Sequence, residues 1–268
     1  PPAEYVGGVV SYKGTNLLGL EEGQKRRYRG TEIAMIFQEP MTSLNPVYKI
    51  GSQIDEAISI RESRGTRASL NVETARRKEA IDALYRVRIP DPEHVVNRYP
   101  FELSGGMVQR VMIAMALAQK PSLLIADEPT TALDVTTQAQ VLKLMRNLMK
   151  EVETSILLIT HDLAVAAQVA DRVAVMYGGE VVEEADILEL FSKPLHPYTQ
   201  GLLACVPTGS KDSDRLRPVP GDVLDLKSVP RGCKFAARCS HVMKGCTLRR
   251  PELTLRKGSH NVACYLYE

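Results

Sequence analysis

The chain has 268 residues, of which 44% are apolar and 25% charged, and its formal net charge is +2. That length suits one large domain or two smaller ones, and the composition is that of an ordinary globular protein with enough apolar residues for a sizeable core. A charge so near neutral argues against a dedicated nucleic-acid binder, although a local basic patch stays open.

No run of about 18 apolar residues occurs, and the opening "PPAEYVGGVV" lacks the basic and apolar regions of a secretion signal. Any membrane role is therefore expected to come through a partner. Residues 5–37 read as strands and turns, first "YVGGVVSYKG" and then "EIAMIFQ". Residues 50–119 read as mainly helical, with a solvated stretch of mixed charge over 61–80 and Pro-containing breaks at 89–92 and 98–106. The segment "MVQRVMIAMALAQ" at 107–119 is rich in good helix formers and stops before Pro121.

From there strands and helices alternate. "SLLIAD" is a short apolar run suited to a strand buried on both faces. "TTQAQVLKLMRNLMKEV" has helical spacing at Val141, Leu144, Met145 and Leu148. "SILLIT" predicts a second buried strand, and "DLAVAAQVA" a helix opened by Asp162 in a capping position. "RVAVMYGGEVVEE" predicts a hairpin around Gly178 and Gly179. The alternation implies an α/β fold with a mostly parallel sheet and its ligand at the carboxyl ends of the strands. Beyond about Ala185 the composition shifts to Pro, Lys and Cys, which predicts a domain boundary near that residue.

Four places in this order carry chemistry. Gln38, in "FQEPMTSLNP", follows a strand, where its amide oxygen can ligate Mg²⁺ or position water; a plain polar loop is the alternative. In "LSGGM", Ser104 can cap the next helix, and Gly105 and Gly106 allow close backbone approach. A helix N-terminus of that kind binds phosphate, although a simple Ser-Gly-Gly turn reads the same way. In "LLIADEP", Asp127 ends a strand and can hold Mg²⁺ beside a nucleotide phosphate. Glu128 follows it and can orient or deprotonate an attacking water. In "ITHDLAVA", His161 follows a strand and can reach a terminal phosphate, or it is merely structural.

This ordered set resembles the nucleotide-binding subunit of ABC transporters. Gln38 matches the Q-loop, "LSGGM" the signature usually written LSGGQ, "LLIADE" the Walker B strand, "TALD" ending at Asp134 the D-loop, and His161 the switch histidine. The resemblance covers residues 5–185, with a helical subdomain at about 45–119. It implies a head-to-tail pair of ATPase subunits, in which Ser104, Gly105, Gly106 and Asp134 serve ATP bound to the partner. It also implies roles for the other residues: Asp127 and Gln38 for Mg²⁺, Glu128 for polarising water, and His161 for holding the γ-phosphate. One part of the pattern is missing. No G-x-x-x-x-G-K-[ST] loop occurs, nor any Gly-Lys pair. In the family this loop lies about 50 residues before the Q-loop, whereas 37 residues precede Gln38 here. The expectation is a chain lacking its N-terminal Walker A part and inactive alone.

"IFQEPMTSLNPVYKIG", "RYPFELSGGMVQRVMIAMAL" and "PLHPYTQGLLACVP" resemble the dipeptide and oligopeptide importers. The resemblance implies a second, paralogous ATPase, two membrane permease subunits, an extracytoplasmic peptide-binding protein and no nucleic acid. It also implies a place on the cytoplasmic face of the membrane. Near relatives take up nickel, glutathione or related solutes, and ABC ATPases of DNA repair or translation are the rival class. Those rivals carry coiled-coil insertions or tandem cassettes, and neither is present.

Residues 186–268 look like the C-terminal extension of that branch. Cys233, Cys239, Cys246 and Cys264 fall in the last 36 residues, with five, six and 17 residues between them. Four thiolates can close a zinc site or hold a [4Fe–4S] cluster, or they can remain free. The lack of a tight C-x₂₋₄-C pair favours the larger cluster over zinc, and some members resembling this chain carry [4Fe–4S] here. His241 and His260 are backup ligands or surface residues, and Cys205 reads as a core side chain. The tail has too few apolar residues for a secure core of its own.

Overall fold

The runs ending at Ile36, Asp127 and Ile159 form a parallel sheet in the computed structural model, which describes residues 5–39, 43–62, 72–130, 133–206, 218–225 and 227–268. The chain divides into two compact units, one up to Ile159 and one from Thr160 onward.

In the first unit a small hairpin of β1 (Ser11–Tyr12) and β2 (Thr15–Asn16) precedes a helical turn, α1 (Glu22–Lys25). Strand β3 (Ile33–Ile36) then pairs in parallel with β4 (Leu123–Asp127), and β4 pairs in parallel with β5 (Ser155–Ile159). Between β3 and β4 lie the helices α2 (Ile50–Glu62), α3 (Val72–Arg86), α4 (Pro92–Val95) and α5 (Gly105–Ala118). Helix α6 (Val135–Val152) is the crossover from β4 to β5.

One core joins these elements. Ile36, Ile50, Ile54, Ile58, Leu84, Ile113 and Leu124 are fully buried within it. Each such side chain contributes about 1.5–3 kcal/mol by leaving water. Helix α6 turns Val141, Leu144, Met145 and Leu148 into the core, the face set by its helical spacing. The helical part is also pinned by polar contacts. Arg61 of α2 donates to Glu79 of α3 at 2.7 and 2.9 Å and to the Ala118 carbonyl at the end of α5 at 2.8 Å.

Strand β5 departs from its expected burial. Its sequence reads as buried on both faces, yet Ile156, Leu157 and Ile159 are 37%, 52% and 45% exposed. Among the described residues the strand is hydrogen-bonded only to β4 and so lies at an edge of the three-stranded sheet.

The second unit begins with α7 (Leu163–Val169), which Asp162 caps by accepting from the Ala164 and Val165 N–H groups. Strands β6 (Arg172–Tyr177) and β7 (Glu180–Asp186) form the expected hairpin. Gly178 and Gly179 both have positive φ, 56° and 82°, as a two-residue hairpin loop demands. Then follow α8 (Ile187–Ser192), α9 (Pro197–Ala204), α10 (Lys244–Leu248), β8 (Thr254–Lys257) and β9 (His260–Val262).

The tail does not stand apart. Strand β9 pairs with β7, so the sheet runs β6-β7-β9-β8. The position near Ala185, where the composition changes, lies inside β7. Phe235 packs in one cluster with Val175, Tyr177, Val182, Ala185 and Leu190. A tail short of apolar residues thus shares the hairpin's core instead of building its own.

Glu183 locks this arrangement. It is fully buried, and its carboxylate accepts from the Leu195 and His196 N–H groups at 2.7 and 2.9 Å and meets His260 Nε2 at 2.7 Å. His260 is itself 2% exposed, which corrects its reading as a surface residue or spare ligand. Its other ring nitrogen lies 3.5 Å from Glu189. Removing a buried carboxylate orphans its donors, so Glu183→Ala should lower the unfolding free energy by about 3–5 kcal/mol. Glu180→Ala, at a half-exposed pair with Lys234 and Arg250, should cost about 1 kcal/mol or less. Urea unfolding of the two variants checks the contrast.

Candidate functional site

The carboxyl end of β4 places Asp127 at the sheet's edge, half-buried, with Glu128 immediately beyond. Glu128 has φ +43°, the left-handed region that a side chain enters only when its surroundings hold it there. The hold is visible: the Glu128 N–H donates to the Ile159 carbonyl at 2.9 Å, at the end of β5. The side chain is placed from the other side. Gln38, just past β3, donates from Nε2 to Glu128 Oε2 at 2.8 Å. Two residues separated by 90 positions, each singled out from sequence, therefore meet at neighbouring strand ends.

The Gly-Gly motif forms the expected helix start. Ser104 is the N-cap of α5, its hydroxyl accepting from the Met107 N–H at 3.4 Å. Gly105 is exposed, and a side chain there would meet nothing within 4 Å. At Gly106 an added Cβ would lie 3.0 Å from the Thr137 methyl, so glycine allows α5 to approach α6 closely. The free N–H groups and positive end of such a helix attract anions.

Asp134 is exposed and caps α6, accepting from the Thr136 and Thr137 N–H groups at 3.1 and 3.0 Å. The Thr137 hydroxyl and then its backbone N–H hold the Asp134 carboxyl below its ordinary range. His161 is exposed and belongs to the second unit.

A separate constellation lies in the second unit. Cys233, Cys239, Cys246 and Cys264 line one cavity together with His196, Phe235, His241 and Tyr265. All four are free thiols. Backbone N–H groups face the sulfurs: His241 to Cys239 and Met243 to Cys246, both at 3.4 Å, Phe235 and Ala236 to Cys233, and Leu266 to Cys264. Burial pushes the Cys233 and Cys239 thiols up, and that of Cys264 to about 11. The neighbouring thiols add to the rise once ionised. Among the described residues no group of three or more His, Cys, Asp or Glu stands where it could hold a metal ion.

Sequence reasoning missed His196 in this cavity. Its signal was the dipeptide His196-Pro197, an N-cap followed by a proline suited to the first helical turn. Cys205, read as a core side chain, is half-buried and donates to the Gly201 carbonyl at 3.2 Å.

Carboxylates at parallel strand ends, with a capped Gly-Gly helix in the same unit, are the components of a nucleotide-phosphate site. Comparison with known proteins specifies which kind. Residues 3–131 match the ABC transporter family, and residues 182–246 match the C-terminal region of oligopeptide/dipeptide transporters. The chain is 49% identical over 267 residues to the oligopeptide transport ATP-binding protein OppD of Bacillus subtilis, covering 99% of this chain and 73% of that one. It is 46% identical over 270 residues to the dipeptide transport ATP-binding protein DppD of the same organism, covering 78% of it. Among solved structures, it is similar to the ATP-binding cassette MJ0796 in a dimeric post-hydrolysis state with ADP and Pi. That match has a TM-score of 0.59 and 29% identity and covers 68% of this chain and 74% of that one. The chain belongs to the ATP-binding proteins of the ABC transporter family, in the oligopeptide/dipeptide branch.

The cysteine cavity rests on one tight backbone approach. An added Cβ at Gly232 would sit 2.2 Å from the Cys246 carbonyl, which accepts the Cys233 N–H at 2.7 Å. Gly232→Ala should therefore destabilise the tail by about 1–3 kcal/mol. Limited proteolysis should show faster cutting within 231–268 than in the wild type.

Proposed function

We propose that this chain is an ATP-hydrolysing subunit of an ABC importer that drives uptake of di- and oligopeptides. The observation that carries the reading is the Gln38–Glu128 contact at 2.8 Å, one residue beyond Asp127. In this reading Asp127 and Gln38 hold Mg²⁺, Glu128 orients the attacking water, and His161 holds the γ-phosphate. Ser104, Gly105 and Gly106 at the start of α5, with Asp134, face ATP on a second, paralogous ATPase subunit. Catalysis is then mostly positioning and charge stabilisation.

The open side of β5 supports a further element in this site. A parallel sheet is normally covered on both faces, and an apolar edge strand left exposed is a template for another strand. In this reading a strand that leads into a phosphate loop pairs with β5. No helix among the described residues is long and apolar enough to cross a membrane. The proposed place is the cytoplasmic face of the membrane, bound to two permease subunits and acting with an extracytoplasmic peptide-binding protein. Exposed Val47, Tyr48, Tyr85 and Phe101 in the helical part offer apolar contact for a permease.

The same reading extends to the tail, residues 186–268, as the branch's cysteine-bearing extension. The cavity of Cys233, Cys239, Cys246 and Cys264 is proposed to hold a [4Fe–4S] cluster, which supplies a structural, one-electron redox centre when bound. Zinc is the less favoured occupant. Anaerobically purified protein should be brown, with about four irons per chain; colourless, zinc-loaded protein would replace iron by zinc.

The ATPase assignment is tested in the assembled transporter, with the phosphate loop present. Glu128→Gln should keep ATP binding but lower turnover by about 10²-fold or more. Near-normal hydrolysis by that variant removes Glu128 from the mechanism. Residues 1–268 alone should show no specific ATPase activity, and micromolar ATP affinity by calorimetry would contradict the need for an added loop.

A further inference from the structure

Helix α2 starts at a joint that leaves no room for a side chain. The Ile50 and Gly51 N–H groups donate to the Arg98 and Val96 carbonyls at 2.9 and 2.8 Å, and a Cβ at Gly51 would lie 2.7 Å from the Val96 carbonyl oxygen. Both chain segments that meet there carry exposed apolar side chains. In the loop before α2, Val47 and Tyr48 are 72% and 57% exposed. Beyond Arg98, Phe101 is 68% exposed, and its ring stacks on that of Tyr99 with centroids 5.5 Å apart.

One side chain holds the loop. Gln53, in the first turn of α2, is 7% exposed. Its Nε2 donates to the Asn45 and Tyr48 carbonyls at 3.0 and 2.9 Å, and its Oε1 accepts from the Asn45 N–H at 2.9 Å. Two carbonyls at one end and an N–H at the other fix which way the amide faces. Asn45 extends the hold, its Oδ1 accepting from the Val47 N–H at 3.1 Å. Leu44, 2% exposed, seats the start of the loop in the core. The backbone of 45–48 is thus turned inward onto Gln53 and Asn45, with the side chains of Val47 and Tyr48 left outside. Without the Gln53 amide, the Asn45 N–H and the Tyr48 carbonyl would need water as a partner, and water reaches them when the loop lifts.

We infer that Gln53 is a positioning residue for docking: it fixes the loop of Val47 and Tyr48 in the shape that a permease subunit grips. The inference rests on the permease reading proposed above. A loop already shaped loses less conformational freedom on contact, so the clamp strengthens binding without touching the partner. Gln53 belongs neither to the Gln38–Glu128 pair nor to the Gly-Gly helix start, so ATP binding does not depend on it.

The first arm of the test uses the chain itself. Hydrogen exchange over 45–48 should be about tenfold faster in Gln53→Leu than in wild type, with α5 and α6 unchanged. Unchanged exchange over 45–48 overturns the clamp. The second arm titrates the ATPase subunit, with its phosphate loop, onto the permease pair of its own transporter in lipid nanodiscs. Gln53→Leu should bind about tenfold more weakly, with its ATP affinity unaltered. Ile58→Val, at a fully buried position of the same helix, leaves the amide in place and controls for lost stability; it should bind the permeases normally. Equal weakening by Ile58→Val, or full-strength binding by Gln53→Leu, overturns the inference. Val47→Ser with Tyr48→Ser tests the reading beneath it, since both side chains are exposed and the fold should survive. Normal binding by that double variant removes the loop from the permease contact and takes the inference with it. If the double variant binds weakly, adding Gln53→Leu should weaken it no further, because the amide acts only through the loop. A further loss on addition overturns the inference. Should Gln53→Leu fail to fold, Gln53→Glu replaces it. The carboxylate keeps an acceptor for the Asn45 N–H and loses both donors, so weaker permease binding is again expected, and normal binding overturns the inference.

Discussion

A single buried carboxylate organises the second half of this protein. Glu183 sits in the middle of β7 with no exposed surface, where an unpaired charge would be prohibitive. It is tolerated because two chain segments bring hydrogen-bonding groups to it: residues 195–196 and His260. The consequence is geometric. The start of α9 and strand β9 cannot move independently of the hairpin, and His196, which opens α9, is one wall of the cysteine cavity. Charge reinforces the closure. Residues 160–230 carry a net −5 and residues 231–268 a net +6, and contacts such as Lys234 with Glu180 and Arg250 with Glu180 lie between the two.

The first unit works by a different device, strain held by hydrogen bonds. Glu128 keeps a left-handed backbone because β5 accepts its N–H, while Gln38 takes its side chain. Backbone held in that region costs stability locally. The core beneath, from Ile36 through Leu124, is what makes the strain affordable.

Much of this was legible because local signals and tertiary structure agree. The capped Gly-Gly start of α5, the period of α6 and the glycines of the hairpin loop are all short-range patterns that packing did not override. Gln38 and Glu128 were each visible as strand-end residues, but their contact across 90 positions was not. The exposure of β5 was hidden because an apolar pentapeptide reads the same at an edge as in the middle of a sheet. The composition changes near Ala185, whereas strand pairing between β7 and β9 is non-local and leaves no compositional mark. His260 went unrecognised for that reason: its partner, Glu183, lies 77 residues earlier.

That separation bears on how the second unit forms. The β7–β9 ladder cannot be sampled by local motion; the chain must first close a long loop, at an entropy cost that no early contact repays. Until β9 docks, Glu183 lacks its contact with His260, and the β7 side of the hairpin has no strand paired to it. Assembly of this half is therefore expected to be late and concerted, with the hairpin waiting on residues that lie far along the chain.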